Sequence, residues 1–329
     1  MKWNAVGGVA LAIVVAGLGV RAAQSPAPRS VDGLVSAAKM AAGLDWAGTF
    51  LRLCIVPPPA AQGAAPGGLA GPPARETWHA EPAKIADNLY FIGTRIHSAW
   101  ALVGRDGIVV IEALFDYAAP DEIAGGMKKL GLDINKVKYF IISHAHGDHD
   151  GGAKFLQDTV PSAKLVYGGP DWDAVEKSTN RPGGKPKRDT SAADGMKFSV
   201  GDASVQIVTT PGHTPGTISF LFEVKDNGKP LRIAYVGGTA IPFNGSAEYY
   251  DGYIASVRKM AKAAADFGAT ALLSNHTEFD NAFYKAHTAA SRKAGEANPF
   301  DVGKAAVGRY FTVVEDCATA AKLRAAGKI

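Results

Sequence analysis

Short apolar runs separated by polar turns fill the chain from Trp78 onward, and most have the length of a β-strand. The run 137–143 is apolar without interruption, as expected for a strand that is buried on both faces. The runs 217–224 and 231–236 flank Asp226-Asn227-Gly228, a sequence typical of the tight turn of a β-hairpin. Further strands are predicted over 89–92, 99–103, 108–111, 164–167, 197–200, 204–209 and 269–274.

Apolar positions three and four residues apart indicate the helices. Residues 31–53 fit one helix or two short ones, and further helices are predicted over 120–130 and 253–265. The tail from about Asn281 is also helical in pattern, with an interruption near Pro299. Because strands alternate with helices and several strands follow one another directly, we predict the α/β class, with layered mixed sheets.

The N-terminus has the composition of a targeting signal. An apolar run over 5–20 follows Lys2, and small residues favour cleavage after Ala22, which together predict a signal peptide over 1–22. The run is shorter than the roughly 20 residues that a membrane span needs, although an uncleaved anchor is the alternative. We therefore expect a periplasmic or secreted protein with no stable membrane insertion after cleavage.

The rest of the chain divides by composition into four parts. Residues 57–76 consist mostly of Pro, Ala and Gly, which cannot pack a core, so they are predicted to form a linker or a surface strap. An N-terminal helical segment over 23–56 precedes this linker. The main domain is predicted over 77–290, and a C-terminal helical extension over 291–329 follows it.

Overall composition narrows the possible functions. The 329 residues are 47% hydrophobic and 20% charged, and the net charge is only +4, so a nucleic-acid partner is not expected. Only two cysteines are present, which excludes a cysteine-based zinc site. In an exported protein Cys54 and Cys317 could form a disulfide, and two buried thiols that never meet are the alternative.

Metal-competent side chains concentrate where the apolar run 137–143 ends. His144, His146, Asp148 and His149 fall within six positions, and His144 and His146 face the same side of an extended segment. Gly147 lets the chain turn, so that the last two residues can face a second ion. Lone Ser143 beside His144 does not make a catalytic triad.

Two further histidines follow strands in the same way. His213 lies in a Pro- and Gly-rich loop and His276 follows an apolar run, so six ligands could divide into two sets of three. The remaining histidines, His79, His97 and His287, are predicted to be ordinary surface or hydrogen-bonding residues.

This pattern resembles the metallo-β-lactamase superfamily over roughly 77–290. The resemblance rests on His144-x-His146-x-Asp148-His149, on His213 within Thr210-Pro211-Gly212-His213-Thr214-Pro215-Gly216, and on His276 after a strand. It implies a four-layer αβ/βα sandwich with two Zn(II) ions at its edge. The helical patterns at the two ends of the chain add N- and C-terminal helical extensions to this fold. The resemblance also implies that His144, His146 and His213 bind one ion, while Asp148, His149 and His276 bind the other. A histidine rather than a cysteine at the second ion resembles subclass B3 β-lactamases.

The resemblance further implies an exported zinc hydrolase that opens a cyclic amide with a metal-bound hydroxide, which Asp148 orients. The substrate would be a small molecule that carries a carboxylate. A lactone, ester or other small acyl substrate is the alternative, and a non-catalytic zinc-binding protein is a third hypothesis. Iron or manganese would also suit nitrogen and oxygen ligands.

Three other positions bear on the substrate. Gly238 stands where many hydrolases of the superfamily carry a bridging aspartate, and Thr239 offers a hydroxyl near the position that contacts the substrate carboxylate in subclass B3. The polar segment 171–193 is either a solvated loop or a lid that attracts an anion. Its basic residues are Arg181, Lys185, Lys187 and Arg188.

Overall fold

The computed structural model describes Met1 and residues 30–57, 72–293 and 295–328. The predicted signal peptide over 1–22 and most of the predicted linker lie outside the described residues. Among the described residues, no helix combines the length and the apolar character that crossing a bilayer requires.

The first sheet has seven strands that lie in the order in which they occur along the chain. β1 to β4 are antiparallel neighbours, whereas β4 to β7 pair in parallel. The strands are β1 (Ala83–Lys84), β2 (Leu89–Phe91), β3 (Trp100–Gly104), β4 (Gly107–Ile111), β5 (Val137–Ile141), β6 (Lys164–Gly168) and β7 (Thr190–Ala192).

The second sheet has five strands in the order β12-β11-β10-β9-β8. The predicted hairpin is confirmed, since β10 and β11 pair antiparallel and the turn between them places Asn227 and Gly228 at φ 51° and 75°. The strands are β8 (Lys197–Val200), β9 (Ala203–Thr209), β10 (Ile218–Asp226), β11 (Lys229–Val236) and β12 (Ala271–Ser274).

Helices cover the outer faces of both sheets. One group packs on the first sheet around Trp172 and Met127, and a second group packs on the second sheet around Tyr250 and Tyr310. The helices are α1 (Val31–Ala42), α2 (Ala47–Cys54), α3 (Gly126–Lys129), α4 (Gly147–Asp150), α5 (Ala153–Thr159), α6 (Gly169–Lys177), α7 (Ala247–Phe267), α8 (Thr277–Asp280), α9 (Ala282–Ala290) and α10 (Lys304–Ala325).

The main core lies between the two sheets, where large apolar side chains from both inner faces meet. Phe91 and Trp100 of the first sheet and Phe220 and Tyr235 of the second belong to this buried cluster. The order of layers is therefore helix, sheet, sheet, helix, and the predicted αβ/βα sandwich is confirmed.

Two predicted elements differ from the structure. The segment 171–193 was expected to be a polar loop, but its first part belongs to α6, because Trp172 and Val175 bury one face of a helical turn. The predicted helix over 120–130 starts with a π-helical stretch, Pro120–Gly125, before the short α3.

The two chain ends belong to the same helical layer. Trp46 donates from Nε1 to the carbonyl of Ala306 at 2.7 Å, and Cys54 at the end of α2 forms a disulfide with Cys317 of α10. Since α10 packs with α7 against the second sheet, it completes a layer of the sandwich. The predicted C-terminal helical extension therefore packs onto the main domain.

Removing the disulfide should destabilise the fold, because it joins residues 263 positions apart and so restricts the unfolded chain. We expect the Cys54→Ala/Cys317→Ala double variant to lose about 2–5 kcal/mol of unfolding free energy. Urea titration followed by circular dichroism measures the change. Wild-type protein unfolded with reductant is the matched control and should show the same loss, whereas equal midpoints for oxidised wild type and the double variant would contradict the prediction.

Candidate metal centre

The first ligand-bearing segment leaves β5 at Ile141 and runs extended before it turns. His146 has φ −101° and ψ 145°, and the single-turn helix α4 follows directly. The extended stretch points His144 and His146 to one side, as the sequence predicted, while α4 turns Asp148 and His149 towards a second position.

Three imidazoles form the first group of donors. Nδ1 of His146 lies 3.1 Å from Nε2 of His213, and a donor nitrogen of His144 lies within 4.8 Å of both partners. His144 and His213 donate from Nδ1 to the carbonyl oxygens of Gly237 and Ala240, at 2.8 and 2.7 Å. Because a carbonyl can only accept, these bonds fix the tautomer and leave both Nε2 lone pairs facing the centre.

Asp148, His149 and His276 form the second group. Nε2 of His149 lies 3.1 Å from Oδ2 of Asp148 and 3.1 Å from Nε2 of His276, and the latter nitrogen lies 3.3 Å from the same Oδ2. The structure thus brings together all six residues that the sequence singled out, from three separate stretches of chain.

These donors suit a transition metal. Nε2 of His144 is buried and has no hydrogen-bond partner, which is costly unless an electrophile occupies the centre. The separations of 3.1–3.3 Å are close to the ligand–ligand edge of about 3.4 Å expected for a tetrahedron with bonds of about 2.0–2.1 Å.

Protonation states at the centre favour metal binding as well. Burial lowers the pKa of His144 well below its ordinary value and that of His213 to about 4, so both rings are neutral at pH 7. Burial alone would raise the pKa of Asp148, but His149 and His276 beside it hold that pKa well below the usual range. Neutral imidazoles and an ionised carboxylate are the forms that coordinate metals.

Comparisons with known proteins agree with this geometry. Residues 92–226 match the family model described as the metallo-beta-lactamase superfamily. A subclass B3 metallo-beta-lactamase of Bradyrhizobium japonicum superposes with a TM-score of 0.63 at 25% identity, over 74% of this chain and 95% of that one. The matched part of the chain, residues 92–226, belongs to the metallo-β-lactamase superfamily.

Curated relatives match over shorter stretches. An N-acyl homoserine lactonase of Agrobacterium fabrum is 37% identical over 113 residues, which cover 32% of this chain and 43% of the lactonase. A cytoplasmic hydroxyacylglutathione hydrolase of Arabidopsis thaliana is 29% identical over 141 residues, covering 41% of this chain and 49% of that enzyme. The chain thus matches less than half the length of these superfamily members.

Asp171 is a buried carboxylate beside the centre that the residue spacing did not single out. Its buried carboxylate accepts from the backbone N–H groups of Ala145 at 2.7 Å and Gly216 at 2.8 Å, and from the Thr214 hydroxyl at 2.8 Å. It therefore joins the segment of His144 and His146 to the loop of His213. A Cβ on Gly216 would lie 2.6 Å from the Asp171 carboxyl carbon, so glycine is needed for this close approach.

Glu112 is a second buried carboxylate that the sequence analysis missed. It adopts φ 71° at the end of β4 and accepts from the Tyr235 hydroxyl at 2.7 Å and the Ser143 N–H at 3.3 Å. Its Oε2 lies 3.8 Å from Nδ1 of His149, on the side of that ring away from Asp148. Burial raises the pKa of Glu112 to about 8. The carboxylate thus lies behind the His149 ring, beyond hydrogen-bond distance from it.

His97 was predicted to be an ordinary surface or hydrogen-bonding residue, but the structure places it beside the second group of donors. Its Nε2 lies 3.5 Å from Oδ2 of Asp148, and its ring centroid lies 4.9 Å from that of His276. Periodicity could not reveal this, because the contact depends on a bridge between the backbone at 97 and at 276. The other two histidines lie elsewhere: His79 contacts Glu122, and His287 packs on Phe283.

Thr239 and Gly238 were predicted to bear on the substrate. The Thr239 hydroxyl is buried and bonds to Ser274 and Tyr310 at 3.0 and 2.8 Å, so it does not face a substrate. A Cβ on Gly238 would come within 2.6 Å of the His213 Cβ, so a larger residue at 238 would displace that ligand.

The basic residues of segment 171–193 are largely engaged within the protein. Arg181 pairs with the buried Asp150, and Arg188 contacts Asp173 and Glu176 at 2.7 and 2.9 Å. Lys185 donates to a backbone carbonyl. These contacts weaken the lid hypothesis, which requires cations that face the substrate.

Asp171→Ala should damage the centre without touching a ligand, because it leaves buried N–H donors without an acceptor. We expect a loss on the order of 3 kcal/mol in unfolding free energy and a lower zinc content after dialysis. Asp173→Ala, on the same helix but at an exposed ion pair, is the matched control and should change stability by less than about 1 kcal/mol. Equal stability and zinc content in the two variants would contradict the assigned role.

Proposed function

We propose that this protein is a zinc-dependent hydrolase that opens a cyclic amide. The observation that carries the proposal is the meeting of six metal donors with a buried, unpartnered Nε2 on His144. Membership of the superfamily supports hydrolysis as the reaction class. A protein nucleophile is not supported, since Ser143 is buried and its Oγ lies beside Nδ1 of His144, on the far side of the ring from the donor nitrogen.

Each protein group has a definite task in the proposed reaction. Two zinc ions held there would polarise a carbonyl group and lower the pKa of bound water towards about 7. His144, His146 and His213 would supply three imidazole nitrogens to one ion and leave a coordination position for water. Asp148 stays ionised, and its carboxylate would orient the attacking water.

The substrate class rests on two observations. Position 238 is glycine, where many other hydrolases of the superfamily carry a bridging aspartate, so Asp148 is the carboxylate among the six predicted ligands. Subclass B3 β-lactamases are among the proteins that this chain resembles in structure. Both favour a β-lactam-like amide that carries a carboxylate. The 37% identity to a homoserine lactonase over 113 residues favours a lactone or ester as the second candidate.

Export to the periplasm or outside the cell is part of the proposal. The disulfide between Cys54 and Cys317 supports it, because such bonds persist in oxidising compartments. The apolar run after Lys2 supports it independently.

A side-by-side screen tests the reaction and the substrate together. Zinc-loaded protein is assayed against chromogenic β-lactams, acyl homoserine lactones and thioesters, with metal content measured on the same samples. Fastest turnover of β-lactams supports the leading proposal, and turnover confined to lactones or thioesters favours the second candidate. Two bound metals with no turnover of any class would point to a non-catalytic zinc protein.

His144→Ala should abolish turnover and lower the zinc content, because it removes one of three donors to an ion. We expect a loss of at least about a thousandfold in kcat/KM, which corresponds to about 4 kcal/mol. His287→Ala changes an exposed histidine outside the centre and should retain full activity. Normal turnover in His144→Ala, with wild-type zinc content, would reject the ligand role.

A further inference from the structure

His97 is held in place by its own tight loop. Its backbone N–H donates to the Thr94 hydroxyl at 2.8 Å, and its carbonyl accepts from the Thr94 N–H at 2.8 Å. Phe115 packs against the ring, with centroids 5.1 Å apart at 87°. Local hydrogen bonds therefore hold the backbone at His97, and Phe115 restricts the position of the ring.

A backbone bridge then places this loop against the second ligand loop. The N–H of Ser98 donates to the carbonyl of Asn275 at 2.8 Å, and the N–H of Thr277 donates to the carbonyl of Ile96 at 2.7 Å. These two bonds enclose His97 and His276, which face each other as an antiparallel pair. The two side chains consequently project towards the same point.

The distances at that point are those of donors to one ion. His97, Asp148 and His276 offer ligand atoms that all lie within 4.8 Å of one another. Nε2 of His97 lies 3.5 Å from Oδ2 of Asp148, beside separations of 3.1 and 3.3 Å from the same oxygen to His149 and His276. These three separations lie close to the ligand–ligand distance of about 3.4 Å expected for tetrahedral zinc with nitrogen and oxygen ligands.

The rings have matching relations. The centroid of His276 lies 4.9 Å from that of His97 and 4.9 Å from that of His149, with interplanar angles of 65° and 62°. His97 and His149 thus flank His276 in the same way, as two ligands of one ion would.

We propose that His97 is a fourth protein ligand of the second metal ion, together with Asp148, His149 and His276. The second ion then has a closed coordination shell, whereas the first, with three histidines, keeps an open position. Closed shells are typical of retained, structural metals and open shells of catalytic ones. The proposal rests on the metal centre of the proposed function but not on its substrate.

The two ions should accordingly differ in how tightly they are held. Wild-type protein is loaded with Zn²⁺ and dialysed against increasing EDTA, and the zinc retained per chain is measured by mass spectrometry. We expect two separate steps of loss. His97→Ala should move the later step to at least about tenfold lower EDTA and leave the earlier step in place.

Two further variants keep the experiment decisive. His97→Asp retains a donor atom and should restore most of the lost retention, and His287→Ala should behave as wild type. Circular dichroism on each sample reports whether it is folded. If His97→Ala is folded and releases both ions as wild type does, or if His97→Asp is no better than a folded His97→Ala, the proposal is wrong.

Failure of the proposed function can be distinguished from failure of the fourth-ligand proposal. Zinc release is measured without substrate, so a protein that hydrolyses nothing in the screen can still show the His97 effect. Conversely, rapid turnover with unchanged zinc release in His97→Ala would reject the fourth ligand and leave the hydrolase proposal standing.

Discussion

The metal centre depends on one buried carboxylate that satisfies the backbone of two loops at once. Asp171 accepts from Ala145 in one loop and from Gly216 and Thr214 in the other. Without it, two histidine-bearing segments would meet with unpaired N–H groups in a region that excludes water. Asp280 acts similarly on the third segment, where it accepts from the N–H groups of Ser274 and Ala282 at 2.7 and 2.9 Å. The ligands are thus presented by loops whose shapes are set by acids that do not themselves face the metal.

A cluster of buried imidazoles is costly unless a metal binds there. Several imidazoles lie within 5 Å of one another, centroid to centroid, as for His144 with His146 at 4.7 Å and with His213 at 4.5 Å. Burial and mutual repulsion favour neutral rings, and neutral rings need an electrophile to use their lone pairs. Glu112 adds a left-handed backbone at φ 71°, a conformation that costs a non-glycine residue on the order of 1–3 kcal/mol. Strain, desolvation and repulsion at one place are the usual mark of a functional site rather than of a stable core.

The features that could be predicted from sequence are those set by local spacing. The apolar run before His144, the alternation of His144 and His146, and the turn at Asn227-Gly228 each depend on a few neighbouring residues. The buried position of Asp171 could not be predicted in this way, because the polar residues around Trp172 and Val175 obscure the helical pattern of this segment. The position of His97 was not predicted for a different reason, since it depends on the backbone bridge to His276, which lies far along the chain. Contacts between distant segments produce no periodic pattern of apolar residues, so they cannot be predicted from local spacing.

The disulfide has a consequence for how the molecule would respond to proteolysis. The N-terminal helices α1 and α2 precede residues 58–71, while their partner α10 lies near the other end of the chain. A backbone cut anywhere between 57 and 72 would leave two fragments that still share the bond between Cys54 and Cys317. On a denaturing gel, the nicked protein would migrate as one band without reductant and as two bands with it. In the folded protein, the N-terminal fragment would stay packed in the helical layer.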